Sequence, residues 1–191
     1  MKKKKIAAVA VSSVLLFVAG IVLSLCLGSR TVAFTKVLEA LSGKHVETLG
    51  AKVVLARVPR TIFGILAGGA LGISGTLMQS ITRNPVADPS ILGVNTGASL
   101  FVVIGIAYLH ISAASQYIWL AIFGALLTTL LVYGVASLGK EGATPLKLAL
   151  SGSAVAITLG SLVSTIMLPN DKVMQNFRFW TVGSIGRATM E

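Results

Sequence analysis

The chain has 191 residues, of which 54% are hydrophobic and only 12% carry charge, whereas a soluble domain has about a quarter charged residues. This composition excludes an ordinary water-soluble globule and indicates a protein that lies in a membrane. Sixteen Lys and Arg residues against six Asp and Glu give a net charge of +10. Because the basic residues are divided among the ends of apolar runs, the charge favours anionic lipid headgroups and acidic protein partners over nucleic acid.

The sequence offers little material for a metal centre or an active site. Its single cysteine, Cys26, lies inside the first apolar run, which excludes a disulfide framework within the chain. The two histidines, His45 and His110, lie far apart and have no companions at ligand spacing. We therefore predict no catalytic residue, no metal site and no cofactor.

Four lysines, Lys2 to Lys5, precede the apolar run 6–27. At 1.5 Å per residue this run is about 33 Å long, enough to cross the hydrocarbon core. A signal peptide is the competing interpretation, but its apolar region has only about 7–15 residues and is followed by an A-x-A-like site, which is absent here. We predict a retained first transmembrane helix with its lysines in the cytoplasm.

The segment 28–52 is mixed in character. Val37, Leu38 and Leu41 have helical spacing and favour a short amphipathic helix on the outer surface. A solvated connecting loop is an equally open interpretation.

Further apolar runs and a short aromatic segment complete an all-α, polytopic pattern. The aromatic segment is too short and too polar to cross a bilayer, and such residues form an interfacial belt at the membrane boundary. The predicted transmembrane helices are 61–81, 89–109, 117–138 and 146–168, and the short segment is 172–183.

A stripe of small residues follows one face of the second predicted membrane helix. Gly64, Gly68 and Gly72 recur every four residues, and Gly75 continues the same face. In a bilayer, small residues let a neighbouring backbone approach closely, so we predict a helix-packing seam. Gln79, near the end of the seam, requires a partner on another helix or in a water-filled path.

A polar hinge with the sequence TRNPVADP occupies residues 82–89. Each proline disfavours the α conformation in the residue before it, so Pro85 predicts that the helix ends near residues 83–84. Asp88 followed by Pro89 has the form of an N-cap and a first helical position, which predicts that the next helix starts there.

The segment from Arg57 to Val94 carries a long, ungapped and chemically unusual pattern. Its members are Arg57-Val58-Pro59-Arg60, Gly69-Ala70-Leu71, Ser74-Gly75, Gln79, Thr82-Arg83-Asn84-Pro85-Val86-Ala87-Asp88-Pro89 and Leu92-Gly93-Val94. This pattern resembles the signature of FecCD-type permease subunits of iron–siderophore, haem and cobalamin ABC importers. The resemblance implies a ten-helix fold, of which about five helices lie in a single permease domain over 1–191. It also implies the N-terminal part of a longer protein, or a truncated product.

The resemblance implies roles for particular residues. Arg57 and Arg60 match arginines that receive glutamates of an extracytoplasmic substrate-binding protein, although arginines at helix ends also serve as plain interfacial anchors. Asn84 and Val86 match positions that narrow the pathway at its cytoplasmic end, and Gln79 would line the pathway or pack against it.

A further role falls on the short aromatic segment. Phe179, Trp180 and Gly183 belong to a stretch that, in the resembling family, forms a half-helix dipping into the outer mouth of the pathway. Its family hallmark is a Trp-x-x-Gly sequence like the one that ends at Gly183.

The resemblance implies a permease subunit in the bacterial cytoplasmic membrane that takes up an iron chelate, with a ferric siderophore as the expected substrate. Implied partners are a second, identical or related permease, ATP-binding cassette subunits and the binding protein. Because no Walker-type loop occurs, ATP chemistry would belong to a partner. The rivals are an ion-coupled secondary transporter and a structural membrane protein. Ion-coupled carriers often place carboxylates or histidines at mid-membrane, and none of the six acidic residues lies centrally in an apolar run.

Overall fold

A computed structural model describes residues 2–43, 47–85, 87–139 and 142–186, and no β-strand occurs among them. The predicted all-α class is therefore confirmed. The α-helices are α1 Lys2–Cys26, α2 Phe34–Leu41, α3 Leu49–Thr82, α4 Val94–Tyr108, α5 Ala114–Ala136, α6 Pro145–Met167 and α7 Asp171–Val182, with a 3₁₀ turn at Pro89–Leu92.

The chain forms two compact units, which are described separately. The first comprises Met1–Ala70 and Ser184–Glu191, and the second comprises Leu71–Gly183. Helices α1, α2 and most of α3 belong to the first unit, and α4 to α7 belong to the second. The single permease domain over 1–191 stays a prediction.

Within the described residues, α1, α3, α5 and α6 are long and apolar enough to cross a membrane. The predicted runs 6–27, 117–138 and 146–168 correspond to α1, α5 and α6 with small shifts at their ends. The bounds 89–109 of the third predicted helix are wrong, because Gly93 adopts a left-handed conformation with φ 67° between the 3₁₀ turn and α4. The remaining helix, α4, is apolar but has only 15 residues.

Helix α3 begins well before the predicted start at residue 61. It starts at Leu49 and contains Pro59, which precedes the predicted start by two residues. A proline inside a helix removes one backbone hydrogen bond. The early turns nevertheless persist, because Ala51 and Val54 are buried at 4% and 0% exposure. They pack in a small apolar cluster that a helix starting at residue 61 would lack.

The other side of that cluster comes from α2, which confirms the predicted amphipathic helix over the loop alternative. Val37 and Ala40 of α2 are buried in one cluster with Ala51 and Val54 of α3, and Leu25 and Cys26 at the end of α1 pack against it. Val32, just before α2, completes the cluster. These contacts stabilise a small apolar core outside the apolar middle of α1 and α3.

In the second unit, α4 lies at the centre and packs against α5, α6 and α7. Val102 and Val103 of α4 have no exposed surface, and Val163 of α6 and Val173 of α7 complete their cluster. Because α4 is surrounded by protein on several sides, nearly its whole circumference is apolar. The rings of Phe101 and Phe123 also meet edge to face, with centroids 5.3 Å apart.

Glycines set the closest approaches inside this unit. A Cβ atom added at Gly97 of α4 would overlap Thr128 of α5 and lie 2.7 Å from the carbonyl oxygen of Gly124. A Cβ added at Gly124 would lie 2.5 Å from the carbonyl oxygen of Gly97. The backbones of α4 and α5 therefore meet directly, as expected where small residues line a membrane helix interface.

We expect Gly97→Ala to destabilise the protein by roughly 1–3 kcal/mol, because the added methyl group must displace the α5 backbone. Gly134→Ala, the same change on an α5 surface with nothing within 4 Å, is the matched control and should leave stability unchanged or slightly raised. Thermal unfolding in detergent, followed by circular dichroism, measures both. Equal midpoints for the two variants would contradict the direct α4–α5 contact.

Candidate functional site

The guanidinium of Arg57 is folded onto its own chain. The side chain is only 9% exposed. Its Nη1 donates to the carbonyl oxygen of Leu25 at 2.8 Å, and its Nη2 donates to that of Arg30 at 2.5 Å. Leu25 lies in the last turn of α1, where carbonyl groups have no intrahelical donor, and a cation there also complements the helix dipole.

Gly28 makes room for this arrangement. A Cβ atom at that position would lie 2.6 Å from Nη2 of Arg57. Two of the guanidinium donors are bonded to backbone carbonyl groups and the side chain is buried, and the expectation that Arg57 docks a binding protein stays a prediction. Arg57 joins the end of α1 and the following loop to α3.

Arg60, three residues further along α3, has a different environment. Its side chain is exposed, and its Nη2 donates to the carbonyl oxygen of Gly186 at 3.0 Å. It lines a cavity of about 740 Å³ between α1 and α3 in the first unit, together with Ile21, Gly64 and Gly68. Of the two predicted docking arginines, Arg60 is the one that presents its charge at a surface.

A hydroxyl pair closes one side of that cavity. Ser24 of α1 and Thr61 of α3 are hydrogen-bonded through their side-chain oxygens at 2.8 Å, and both line the cavity wall. Thr61 also donates to the carbonyl oxygen of Arg57. The sequence pattern gave no indication of this pair, because the two residues lie 37 positions apart.

The predicted glycine seam has no packed neighbour among the residues that the structure describes. A Cβ atom at Gly64, Gly68, Gly72 or Gly75 would find nothing within 4 Å. The seam therefore stays a prediction, and the glycines at close helix–helix contacts in the second unit include Gly97, Gly124 and Gly152. Their signal in the sequence was weaker, since they lie on three different helices and do not recur every four residues.

The hinge begins where α3 ends, at Thr82. Arg83 takes a left-handed conformation with φ 51°, and the amide of Asn84 donates to the carbonyl oxygen of Gln79 at 3.3 Å. This six-to-one hydrogen bond after a left-handed residue is the Schellman pattern of a helix C-terminus. The predicted end of the helix near residues 83–84 is thus confirmed to within a residue or two.

The hinge ends at Asp88, whose carboxylate accepts from the amide of Ser90 at 2.7 Å. Asp88 is the N-cap of the 3₁₀ turn and Pro89 its first residue, as the sequence predicted, although a 3₁₀ turn replaces the expected α-helix. Hydrogen bonds from the hydroxyl and then from the backbone N–H of Ser90 hold the pKa of Asp88 below its ordinary value of 3.8.

The turn after the hinge is fixed against α6. A Cβ atom at Gly152 would overlap the carbonyl oxygen of Ile91, so the backbone of the turn rests directly on α6. A Cβ atom added at Gly93 would lie 3.4 Å from the methyl carbon of Thr128 on α5. The outgoing side of the hinge is thereby held by two helices of the second unit.

Two of the three residues predicted to line or narrow a pathway, Gln79 and Asn84, lie at the incoming side of this hinge. Gln79 and Asn84 are exposed, in keeping with side chains that face a path or a partner. Val86 lies outside the described residues, and Pro85 is exposed. The roles of these residues stay predictions.

The predicted half-helix 172–183 corresponds to α7, a helix of 12 residues that begins at the N-cap Asn170. Asn170 accepts from the amides of Lys172 and Val173. Trp180 packs against the buried cluster around α4, and its ring centroid lies 5.6 Å from that of Phe177. Phe179, by contrast, is 80% exposed. The helix exists and is too short to span, and its place at a pathway mouth stays a prediction.

This fold is that of a multi-pass helical membrane protein. Residues 15–191 match the model of the FecCD transport family, and the chain belongs to that family. Its pattern of Arg57 to Val94 lies wholly inside the matched range.

Several curated relatives align along most of the chain. The ferric enterobactin transport system permease protein of Escherichia coli (strain K12) is 44% identical over 171 residues, covering 90% of this chain and 51% of that protein. The Fe(3+)-citrate import system permease protein of Bacillus subtilis (strain 168) is 38% identical over 176 residues, covering 91% and 51%. The chain spans about half the length of the curated relatives it matches.

A solved inward-facing structure assigned to the metal-chelate class of ABC transporters has the same fold, with a TM-score of 0.67 at 22% identity. The similarity covers 92% of this chain and 51% of that one.

We expect Arg57→Gln to lower the free energy of unfolding by roughly 2 kcal/mol, because two part-buried hydrogen bonds from a charged donor to backbone carbonyl groups are lost. Arg60→Gln, the same substitution at an exposed arginine, should change stability by about 0.5 kcal/mol or less. Thermal unfolding of the two variants in detergent makes the comparison. Indistinguishable midpoints would show that Arg57 does not anchor α1.

The cap at Asp88 gives a pH dependence with a defined sign. Because its folded-state pKa is lowered, the ionised carboxylate stabilises the fold above the ordinary value of 3.8, and this contribution is lost as pH falls through the lower folded pKa. Relative to Asp88→Asn, which retains a neutral cap, the wild type should lose stability below about pH 4 and not between pH 5 and 7. Melting midpoints across this range test it, and a gain for the wild type at acid pH would contradict it.

Proposed function

We propose that this chain forms part of the permease subunit of an ABC importer that moves an iron chelate across the bacterial cytoplasmic membrane. The observation that supports this most directly is the family match over residues 15–191. Among its relatives are permeases named for ferric enterobactin, ferric citrate and ferric hydroxamate. A ferric siderophore is therefore the proposed substrate class.

In this proposal the hinge is the cytoplasmic end of the pathway. Gln79 and Asn84 face the path beside Val86, which narrows it. A gate needs a backbone that keeps its shape while side chains define the opening, and the Schellman end of α3 and the Asp88 cap supply that order. The N-terminus of α1 then lies in the cytoplasm, and Arg57, Arg60 and the aromatic end of α7 lie on the outer side.

We assign docking of the extracytoplasmic binding protein to Arg60 and a positioning role to Arg57. An exposed cation at a rim steers an acidic partner and sets its orientation. Arg57 supports this by tying α1 and its following loop to the same helix. The two arginines thus divide the roles that the sequence gave to both.

The remaining partners follow from the importer class. A second permease subunit would complete the path, and separate ATP-binding cassette subunits would hydrolyse ATP, since the sequence holds no Walker-type loop. The ion-coupled alternative has less support, because all six acidic residues lie outside the four candidate spans. Coupling carboxylates normally face a path inside the membrane.

The test uses the full-length permease in proteoliposomes with its binding protein and ATPase. We expect uptake of a ferric siderophore to require ATP, and Arg60→Glu to abolish both binding-protein association and uptake, because the rim charge is reversed. Arg83→Glu reverses a charge just beyond the C-terminal end of α3, on the side proposed to face the cytoplasm, and should leave association intact. Radiolabelled iron uptake and co-purification of the binding protein give the two readouts.

Each result decides a separate point. Uptake that follows an ion gradient without ATP would overturn the importer proposal. ATP-driven uptake that is indifferent to Arg60→Glu would retain the importer and overturn the docking assignment.

A further inference from the structure

Helix α2 has more apolar surface than its packing uses. With 3.6 residues per turn, successive residues are about 100° apart around the helix axis. Val37 and Ala40 lie on the side that is buried in the cluster with residues of α3 and the end of α1. Phe34, Leu38 and Leu41 lie together on the neighbouring arc, spread over about 60°, and remain 51%, 49% and 50% exposed.

The polar residues of α2 occupy the opposite arc. Thr35, Lys36 and Glu39 are centred about 140° from the exposed apolar residues. The helix therefore has three faces. One is buried in the cluster with α3, one is apolar and exposed, and one is polar. A helix lying in a membrane surface needs this distribution, with protein at its side, acyl chains below and water above.

The ends of the spanning helices place α2 at the membrane boundary. From Ile6 to Cys26, α1 is about 31 Å long, which matches the thickness of the hydrocarbon core, so Cys26 lies at its edge. The amide of Val32 donates to the carbonyl oxygen of Cys26 at 2.9 Å, returning the chain to that edge. Phe34 follows two residues later, at most about 7 Å away.

The contacts of helix α3 independently place α2 at the same depth in the membrane. Arg57 is bonded to the end of α1, and the α3 residues that share a buried cluster with α2, Ala51 and Val54, lie about 5–9 Å further out along α3. That distance is the depth of the headgroup layer, where interfacial helices lie.

The nearby charge fits anionic headgroups. Arg30 and Lys36 are exposed and line a cavity of about 300 Å³ between the loop before α2 and the first turn of α3. Cations within a Debye length of a membrane surface attract lipid phosphates.

We propose that α2 is an interfacial anchor whose Phe34, Leu38 and Leu41 insert between lipid headgroups and acyl chains, in the leaflet where α1 ends and α3 begins. The occupant of the exposed apolar arc is the bilayer itself. This inference rests on the spanning helices and not on the transported substrate, so its failure would leave the importer proposal standing.

The test places single nitroxide labels on α2 in the full-length protein with Cys26→Ser. Leu38→Cys and Leu41→Cys report the apolar arc, and Glu39→Cys, on the polar arc, is the matched control. The labelled proteins are reconstituted in phosphatidylethanolamine–phosphatidylglycerol vesicles. Power saturation then compares collision rates with oxygen, which concentrates in acyl chains, and with a water-soluble nickel chelate.

We expect the ratio of oxygen to nickel accessibility to be severalfold higher at Leu38 and Leu41 than at Glu39. A high nickel accessibility at both leucine sites would place the arc in water and overturn the proposal. Low accessibility to both reagents would show a protein contact on this face, from another part of the protein or from a partner, and would also overturn it. Two leucine sites guard against a single variant that fails to fold.

Discussion

In a bilayer core no water is available to satisfy backbone groups, and this constraint accounts for much of what the chain does at the ends of its helices. At several helix ends among the described residues, a side chain or a backbone group replaces the lost hydrogen bonds. Arg57 supplies donors at the end of α1, and a Schellman bond to Gln79 closes α3. Asp88 and Asn170 supply acceptors at the starts of the 3₁₀ turn and α7. The polar residues that look functional in the sequence are, in part, the residues that make the breaks possible.

Because polar residues can either satisfy a helix end or remain accessible, Arg57 and Arg60 of one short motif have different environments. The first faces a helix terminus that needs donors, and Gly28 leaves space for its guanidinium, so Arg57 is buried. The second lies three residues on, almost a full turn away, and keeps its charge at the surface. Electrostatic steering requires an accessible charge, whereas anchoring requires a buried one with several acceptors.

Glycine also serves two purposes here. Gly97, Gly124 and Gly152 allow backbones of the second unit to touch, and their substitution would force helices apart. The regular stripe along α3, Gly64 to Gly75, has open space beside it among the described residues. Regular spacing in the sequence shows which helix face carries small residues. Only the fold shows which of these faces contact another helix.

The sequence by itself determined the helical class, most membrane runs, the hinge ends and the family, because hydrophobic length, proline and capping residues act over a few neighbouring positions. It could not place the start of α3 or the burial of Arg57. The first depends on Val54 packing beneath α2, and the second on a carbonyl of Leu25 that lies 32 residues earlier in the chain. Local chemistry fixes most of the helix ends, whereas contacts between distant segments extend α3 to Leu49 and decide which side chains remain free to act.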